Sequence, residues 1–370
     1  MTAEIAILNK SAVALATDSA VTISSGNSHE KVFDSADKLF ELSCEQPIGI
    51  MIYNGMQFSG IPLQDLIKEF RAQRMLFDSV DAAANKFLEF LTDTGRSAPK
   101  SEKVSLIQSI VYPFFALIND RVRNTVLKAI NSNVQEGKET DIQKLEQDSI
   151  QKVLLAIERA VNHRGKGTFF GAKKTPTLIN IEKEEVINAV TKQFPDYLDS
   201  TQLQIVDLST KLLISSELSA TKTGVVIAGL GKKERFPTLV SFEFDGVVAG
   251  KLKMEWTEKC DIERGGEKAF VKPFAQKEMV ERFLYGLDED IQRKVLAYCK
   301  QTIGSISDQI LSQIVLPNVN DSEVLTKKAR VAENAFLNNL QTEAFNLGSR
   351  LIKLDPQPHG CEFDHGHKIA

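Results

Sequence analysis

A chain of 370 residues with 42% apolar and 25% charged side chains has the make-up of an ordinary globular protein, long enough for one large domain or two. Lys+Arg 45 against Asp+Glu 49 leaves a net charge of −4, with no basic excess to suggest a nucleic-acid partner. Four scattered cysteines form no CxxC pair, Glu4 lies where a secretory signal needs basic residues, and the most apolar stretch (from Val104) is broken by Gln108 and Ser109. A reduced, cytoplasmic protein with no membrane partner is expected.

The chain opens MTAEIAILNKSAVALATDS, which reads as a strand near 3–8, a tight turn at Asn9-Lys10 and a returning strand over 11–17. Such a hairpin ties down a terminus that would otherwise fray. TISSGNSHEKVFDS reads as a polar connection. DKLFELS is a third strand, and PIGIMIYNG a fourth, apolar at almost every position as for a strand buried on both faces. Leu63, Leu66, Ile67 and Phe70, then Phe77, Val80, Phe87, Leu88 and Leu91, recur at helical spacing and predict two helices up to a break at TGRSAPK. Long helices follow near 102–132 and 141–163, and shorter ones near 180–194 and 200–216. Strands return in TGVVIAGLG, FPTLVSFEF, DGVVAGKLKMEW and KAFVKPF, with turns expected at Gly, Lys-Glu-Arg and Asp-Gly. After Gln276 the pattern is helical (EMVERFLYGL, DIQRKVLAYCKQTI and a long run over 322–354). Blocks of strands and helices, without strict alternation, predict an α+β fold with stacked antiparallel sheets.

Chemistry concentrates at the start. Thr2 follows the initiator methionine, and a small second residue commonly permits methionine removal. A terminal threonine would carry a hydroxyl nucleophile and a base, its own α-amino group, on one residue. That amine has an unperturbed pKa of about 7.7–8.0, so part of it is neutral near pH 7. In DKLFELS, alternation puts Lys38 on the face of Phe40 and Leu42, and a lysine on an apolar face needs a partner. Asp18, at the end of SAVALAT on the face of Ala12, Ala14 and Ala16, is the candidate.

T-A-E-I-A-I-x8-L-A-T-D-S-A-V-T, then D-K-L-F-E-L and P-I-G-I-M-I-Y-N-G, together resemble the start of a proteasome β subunit or its bacterial peptidase relative, members of the N-terminal-nucleophile (Ntn) hydrolase superfamily. The resemblance covers about the first 56 residues and recurs faintly at TGVVIAGLG and FPTLVSFEFDGVV. It implies a four-layer αββα sandwich over 1–95 and 217–370, with 96–216 a mainly helical insertion. It also implies a threonine peptidase in which Thr2, Asp18 and Lys38 are catalytic and a backbone N–H at Asn54 or Gly55 receives the oxyanion. The D-S-x-x-T-like motif would hold substrate as an added strand through the backbone around Ser19, Val21 and Thr22, and Ile52 would line the pocket for an apolar residue before the scissile bond. A peptide or protein substrate, a homo-oligomer and no cofactor are expected, with an unfoldase or regulatory partner left open. Two other readings stand beside it: an Ntn amidase or acylase acting on a small amide, and a catalytically silent scaffold or regulatory subunit of the same fold.

Other signals read as background. His359, His365 and His367 beside Cys361 and Asp364 could ligate a metal, but no second ligand cluster accompanies them, and a polar tail is the simpler reading. HRGKGTFFGAKKTPT lacks the order that cradles phosphates and reads as a solvated loop. The apolar stripe from Ile142 to Val161 reads as packing within the protein.

Overall fold

The computed structural model describes residues 3–19, 21–25, 28–33, 36–135, 141–163, 165–262, 269–275, 282, 289–314 and 319–345. The chain divides into two compact units, Met1–Ala275 and Gln276–Ala370.

The first unit is a mixed α and β structure with antiparallel sheets. Strand β1 (Ala3–Asn9) turns back into β2 (Val13–Thr17), the Asn9 side chain accepting the N–H groups of Ser11 and Ala12 at 2.8 Å. An Asn side chain at this place satisfies turn amides that no ladder reaches. The returning strand therefore starts at Val13, later than the sequence suggests. β12 (Ala269–Ala275) pairs on the other side of β1, so the first strand of the chain is the centre of a three-stranded sheet ordered β12-β1-β2.

The segment read as a polar connection is instead a hairpin, β3 (Val21–Ser25) with β4 (Ser28–Phe33). Its Gly26-Asn27 dipeptide is a two-residue hairpin signal that the polar composition masked. β5 (Leu39–Glu41) and β6 (Ile48–Asn54) then join a second, five-stranded sheet with β9 (Thr223–Gly229), β10 (Thr238–Val248) and β11 (Lys251–Asp261), ordered β11-β10-β9-β6-β5. β7 (Gln57–Phe58) and β8 (Ile61–Pro62) form a small separate ribbon.

Both faces of the five-stranded sheet are covered. Ile48, Ile50, Ile52, Val225, Ile227, Val240 and Phe242 point one way, against α1 (Leu63–Ala72) and α2 (Val80–Ser97). Met51, Tyr53, Val226, Ala228 and Leu239 point the other way, against Ala6, Leu8 and Phe274 of the three-stranded sheet. This double burial is why β6 and β9 read as unbroken apolar runs. Helix α2 begins at Ser79, whose hydroxyl accepts the Ala82 N–H at 3.1 Å. It continues through Gly95, so the break expected at TGRSAPK shrinks to Ala98-Pro99.

Asp245-Gly246, read as a turn, is a bulge inside β10, and the turn falls at Ala249-Gly250, both with positive φ. The Asp245 carboxylate is fully buried. It accepts the N–H and the hydroxyl of Ser219 at 2.9 and 2.7 Å and lies 3.6 Å from the equally buried Lys253 ammonium. A side chain committed to the segment before β9 cannot serve as an exposed turn residue.

Between the two blocks of strands, α3 (Lys100–Gln135), α4 (Ile142–His163), α5 (Asn180–Gln193) and α6 (Asp199–Leu213) enclose a hydrophobic core of their own. Ile150, Val153, Leu154, Ile157 and Val161 of the α4 stripe lie within it. Glu182, buried at the start of α5, fastens this block to the β10–β11 turn by accepting the Ala249 N–H at 2.7 Å.

The second unit contains α7 (Glu289–Gln313) and α8 (Val319–Asn339), the latter running into one π-helical turn at Leu340–Phe345. Arg330 of α8 reaches Asp308 of α7 at 2.6 Å. No side chain described in 290–342 is buried, and Tyr298, Ile306, Ile310, Val324, Val331 and Phe336 are exposed. Among the described residues, no helix is long and apolar enough to cross a membrane.

Candidate functional site

Two residues that the sequence pairs are together. The Lys38 ammonium lies 2.7 Å from an Asp18 carboxylate oxygen; the lysine is 2% exposed and the aspartate 33%. Asp18 follows the last residue of β2, and Lys38 precedes β5. Along 36–42 burial alternates as expected, with Lys38 and Leu42 buried, Phe40 half-buried, and Asp37, Leu39 and Glu41 exposed. The alanines said to share the face of Asp18 point outward, Ala14 and Ala16 being exposed.

Ile52 lies directly across from Lys38, its N–H donating to the Lys38 carbonyl at 2.9 Å. Its side chain is fully buried in the core beneath α1 and α2. Asn54 ends β6 with φ of +62°, a left-handed conformation that asparagine tolerates better than most residues. At Gly55 a Cβ would come within 2.0 Å of the Thr223 hydroxyl, so the chain passes there because the residue is glycine. The backbone around Asn54 and Gly55 thus turns sharply at the end of β6. Ser19 is exposed, and its carbonyl accepts the Ala36 N–H at 3.1 Å. Val21 and Thr22 form the start of β3, with a register shift between them. Thr2 lies outside the described residues, as do His359, Cys361, Asp364, His365 and His367. Among the described residues, no three metal-ligating side chains gather.

The residue that the sequence reading passed over is Glu4. It is 1% exposed and faces the space between the sheets, at the head of the inward stripe Glu4, Ala6 and Leu8, while Ile7 points outward. Its Oε1 accepts the Thr17 hydroxyl at 3.3 Å from the neighbouring strand, and its Oε2 has no hydrogen-bond partner among the described residues. Burial pushes the Glu4 carboxyl up to about 8, against the pull of the Lys38 cation and the Thr17 hydroxyl; the charge of Asp18 adds to the rise. A glutamate inside an alternating strand was the available signal, but alternation alone does not say which face is inward.

Glu4 belongs to a polar end of the inter-sheet layer. Near Leu8 that layer is filled by apolar side chains such as Met51, Ala228 and Leu239. Towards the start of β1 it holds Tyr53, whose hydroxyl donates to Glu243 at 3.1 Å, and Glu243 in turn pairs with Lys222 at 2.6 Å. Ser241 and Thr257 share a hydrogen bond of 2.6 Å beside them. Burial raises the Tyr53 phenol above its usual range, with Glu243 and Glu4 adding to the effect, so Tyr53 is a proton donor at neutral pH. Its ring lies across Gly224 of β9, where any Cβ would come within 1.9 Å of it. Buried lysine, glutamate and tyrosine at one end of a sandwich cost stability that an all-apolar layer would not.

No family model matches the chain, and neither a curated protein nor a solved structure does.

Proposed function

We propose that the protein is a threonine-type Ntn hydrolase that cleaves peptide bonds, in the manner of proteasome-like peptidases. The observation that carries the reading is the buried Lys38, paired at 2.7 Å with Asp18, at the polar end of a sandwich whose central strand begins one residue after Thr2. In this reading 1–95 and 217–370 make one αββα domain with 96–216 inserted. The neutral α-amino group of Thr2 takes the hydroxyl proton, and Oγ attacks the peptide carbonyl to give an ester. The proton passes to the leaving amine, and water then hydrolyses the ester and restores the hydroxyl. Lys38 favours the neutral amine and the developing alkoxide, while Asp18 holds Lys38 and partly neutralises it. The backbone N–H of Asn54 or Gly55 receives the oxyanion. Ile52, packed across from Lys38, is the residue this reading sets against an apolar side chain before the scissile bond.

Intact mass of the native protein should show Met1 removed, and a peptide vinyl sulfone should add one equivalent at Thr2 but none to Thr2→Ala. A retained Met1 on active protein defeats the mechanism. Turnover of small acyl amides without peptides reassigns the substrate to the amidase or acylase class, and no adduct with either leaves a silent scaffold or regulatory subunit.

The same reading includes a peptide or protein substrate, a cytoplasmic homo-oligomer and room for an unfoldase or regulatory partner. The helical block 100–213 has a core of its own but also exposes Leu117, Leu127, Val134, Ile142 and Leu203, and α7 and α8 expose further apolar side chains. Two helices that bury none of their described side chains do not make a stable unit unaided, and symmetric association is a common remedy. Light scattering of dilute protein should give a multiple of 41.1 kDa, and a clean monomer at that mass sinks the assembly.

A further inference from the structure

We propose that Glu4 is a positioning residue of this site, with a carboxyl that must stay neutral for the terminal threonine to react. The inference rests on the threonine-hydrolase reading above. Glu4 follows Thr2 by two residues in the chain, and it sits on the central strand of its sheet. Its side chain is almost wholly buried, with one bond from Thr17 to Oε1 and no partner for Oε2 among the described residues.

The charges around it are already matched. Asp18, beyond β2, holds Lys38 ahead of β5 at 2.7 Å. Glu243 of β10 holds Lys222 at 2.6 Å and accepts from Tyr53 of β6. Further along the same layer, Glu258 of β11 holds Lys272 of β12 at 2.7 Å. An ionised Glu4 would be a fourth carboxylate for three lysines, and at 1% exposure it is itself almost cut off from water. Burial therefore lifts its carboxyl to about 8, and near pH 7 it is mostly protonated.

A charge on Glu4 works against the proposed chemistry in two ways. It favours ammonium over amine at the terminus, which removes the base. It also repels the negative charge that grows on Oγ and on the carbonyl oxygen during attack. The neutral acid does neither, and leaves the Asp18–Lys38 pair to set the local field. Above about pH 8 the Glu4 proton goes to solvent and the site shuts down.

The test is the second-order rate of Thr2 modification by a peptide vinyl sulfone from pH 6 to pH 10, in the native full-length protein, Glu4→Gln and Thr17→Val. The native rate should rise and then fall above about pH 8, whereas Glu4→Gln should rise to a plateau. The ratio of the Glu4→Gln rate to the native rate should grow about tenfold between pH 7 and pH 9. Thr17→Val removes the hydroxyl that favours the ionised form, so its falling limb should move to higher pH. A pH-independent rate ratio, or a native profile without a falling limb, overturns the role of Glu4 while leaving the threonine hydrolase intact. Absence of Thr2 modification in the native protein at every pH overturns both. Should Glu4→Gln not fold, an unmoved limb in Thr17→Val overturns the proposal alone.

Discussion

Lys38→Met is expected to lower peptide hydrolysis by about a hundredfold or more while leaving a folded protein. Methionine keeps the apolar stem that fills the site and removes only the cation. Losing one preorganised electrostatic partner of a developing oxyanion typically costs 10²–10³ in rate. The stability cost should be smaller than the roughly 3–5 kcal/mol seen when a fully buried pair is broken, because Asp18 is a third exposed and water can take over its solvation. A loss of about 1–3 kcal/mol lies between that figure and the small worth of surface pairs. Glu4 limits the damage further: without the cation its carboxyl is held neutral more firmly, so no second stranded charge appears. Lys38→Ala should show the same activity loss with an added packing cost. Rate constants and thermal midpoints of both variants provide the check. Activity that falls only in step with unfolding, or that survives in Lys38→Met, would make the lysine structural.

The second large effect is on stability as a function of pH. Glu4 rises from an ordinary 4.5 to about 8 in the folded protein, so between those values the native state holds a proton that the unfolded chain has lost. Stability must then fall as pH rises through this window, by at most about 1.4 kcal/mol per pH unit from this one group. Below about pH 4.5 both states are protonated and the group contributes no slope; above about 8 both are ionised and the penalty is complete. Glu4→Gln removes the titration, so the variant should match the native protein near pH 4.5 and exceed it by a few kcal/mol at pH 8. Denaturant melts at four pH values across the window measure this directly. Parallel curves for the two proteins would mean that the buried carboxyl finds compensation in solution.

Much of the architecture was legible because local rules and tertiary burial agree there. The apolar run in β6 announces a strand covered on both faces, and it is. The stripes of α1 and α2 repeat at helical spacing and are buried in a core, as is that of α4 from Ile150 to Val161, while its first residue, Ile142, is exposed. The Asp18–Lys38 pair was legible because a lysine in the alternation of DKLFELS demands an anion, and Asp18 closes the preceding strand. Where local rules misled, a distant partner had changed the use of a residue. Asp245-Gly246 has the composition of a turn, but Ser219 and Lys253 draw the aspartate into the interior and the chain bulges instead of reversing. TISSGNSHEKVFDS is polar enough for a loop, yet its backbone pairs with itself.

By itself the sequence determined the kinds and order of most elements, the buried lysine and its aspartate, and the presence of a threonine that methionine removal would expose. These follow from periodicity, side-chain chemistry and chain position, which are local. Only the tertiary structure decided that β1 is a central strand, clasped by β12 from far along the chain, and that its inward stripe begins with Glu4 and leaves Ile7 outside. Alternation has two solutions, and both Ile5 and Ile7 on one side and Ala6 and Leu8 on the other are apolar. The choice between them is made by what packs above and below: the second sheet takes the smaller Ala6 beneath Met51 and Tyr53, and the carboxyl of Glu4 is carried into the interior with it.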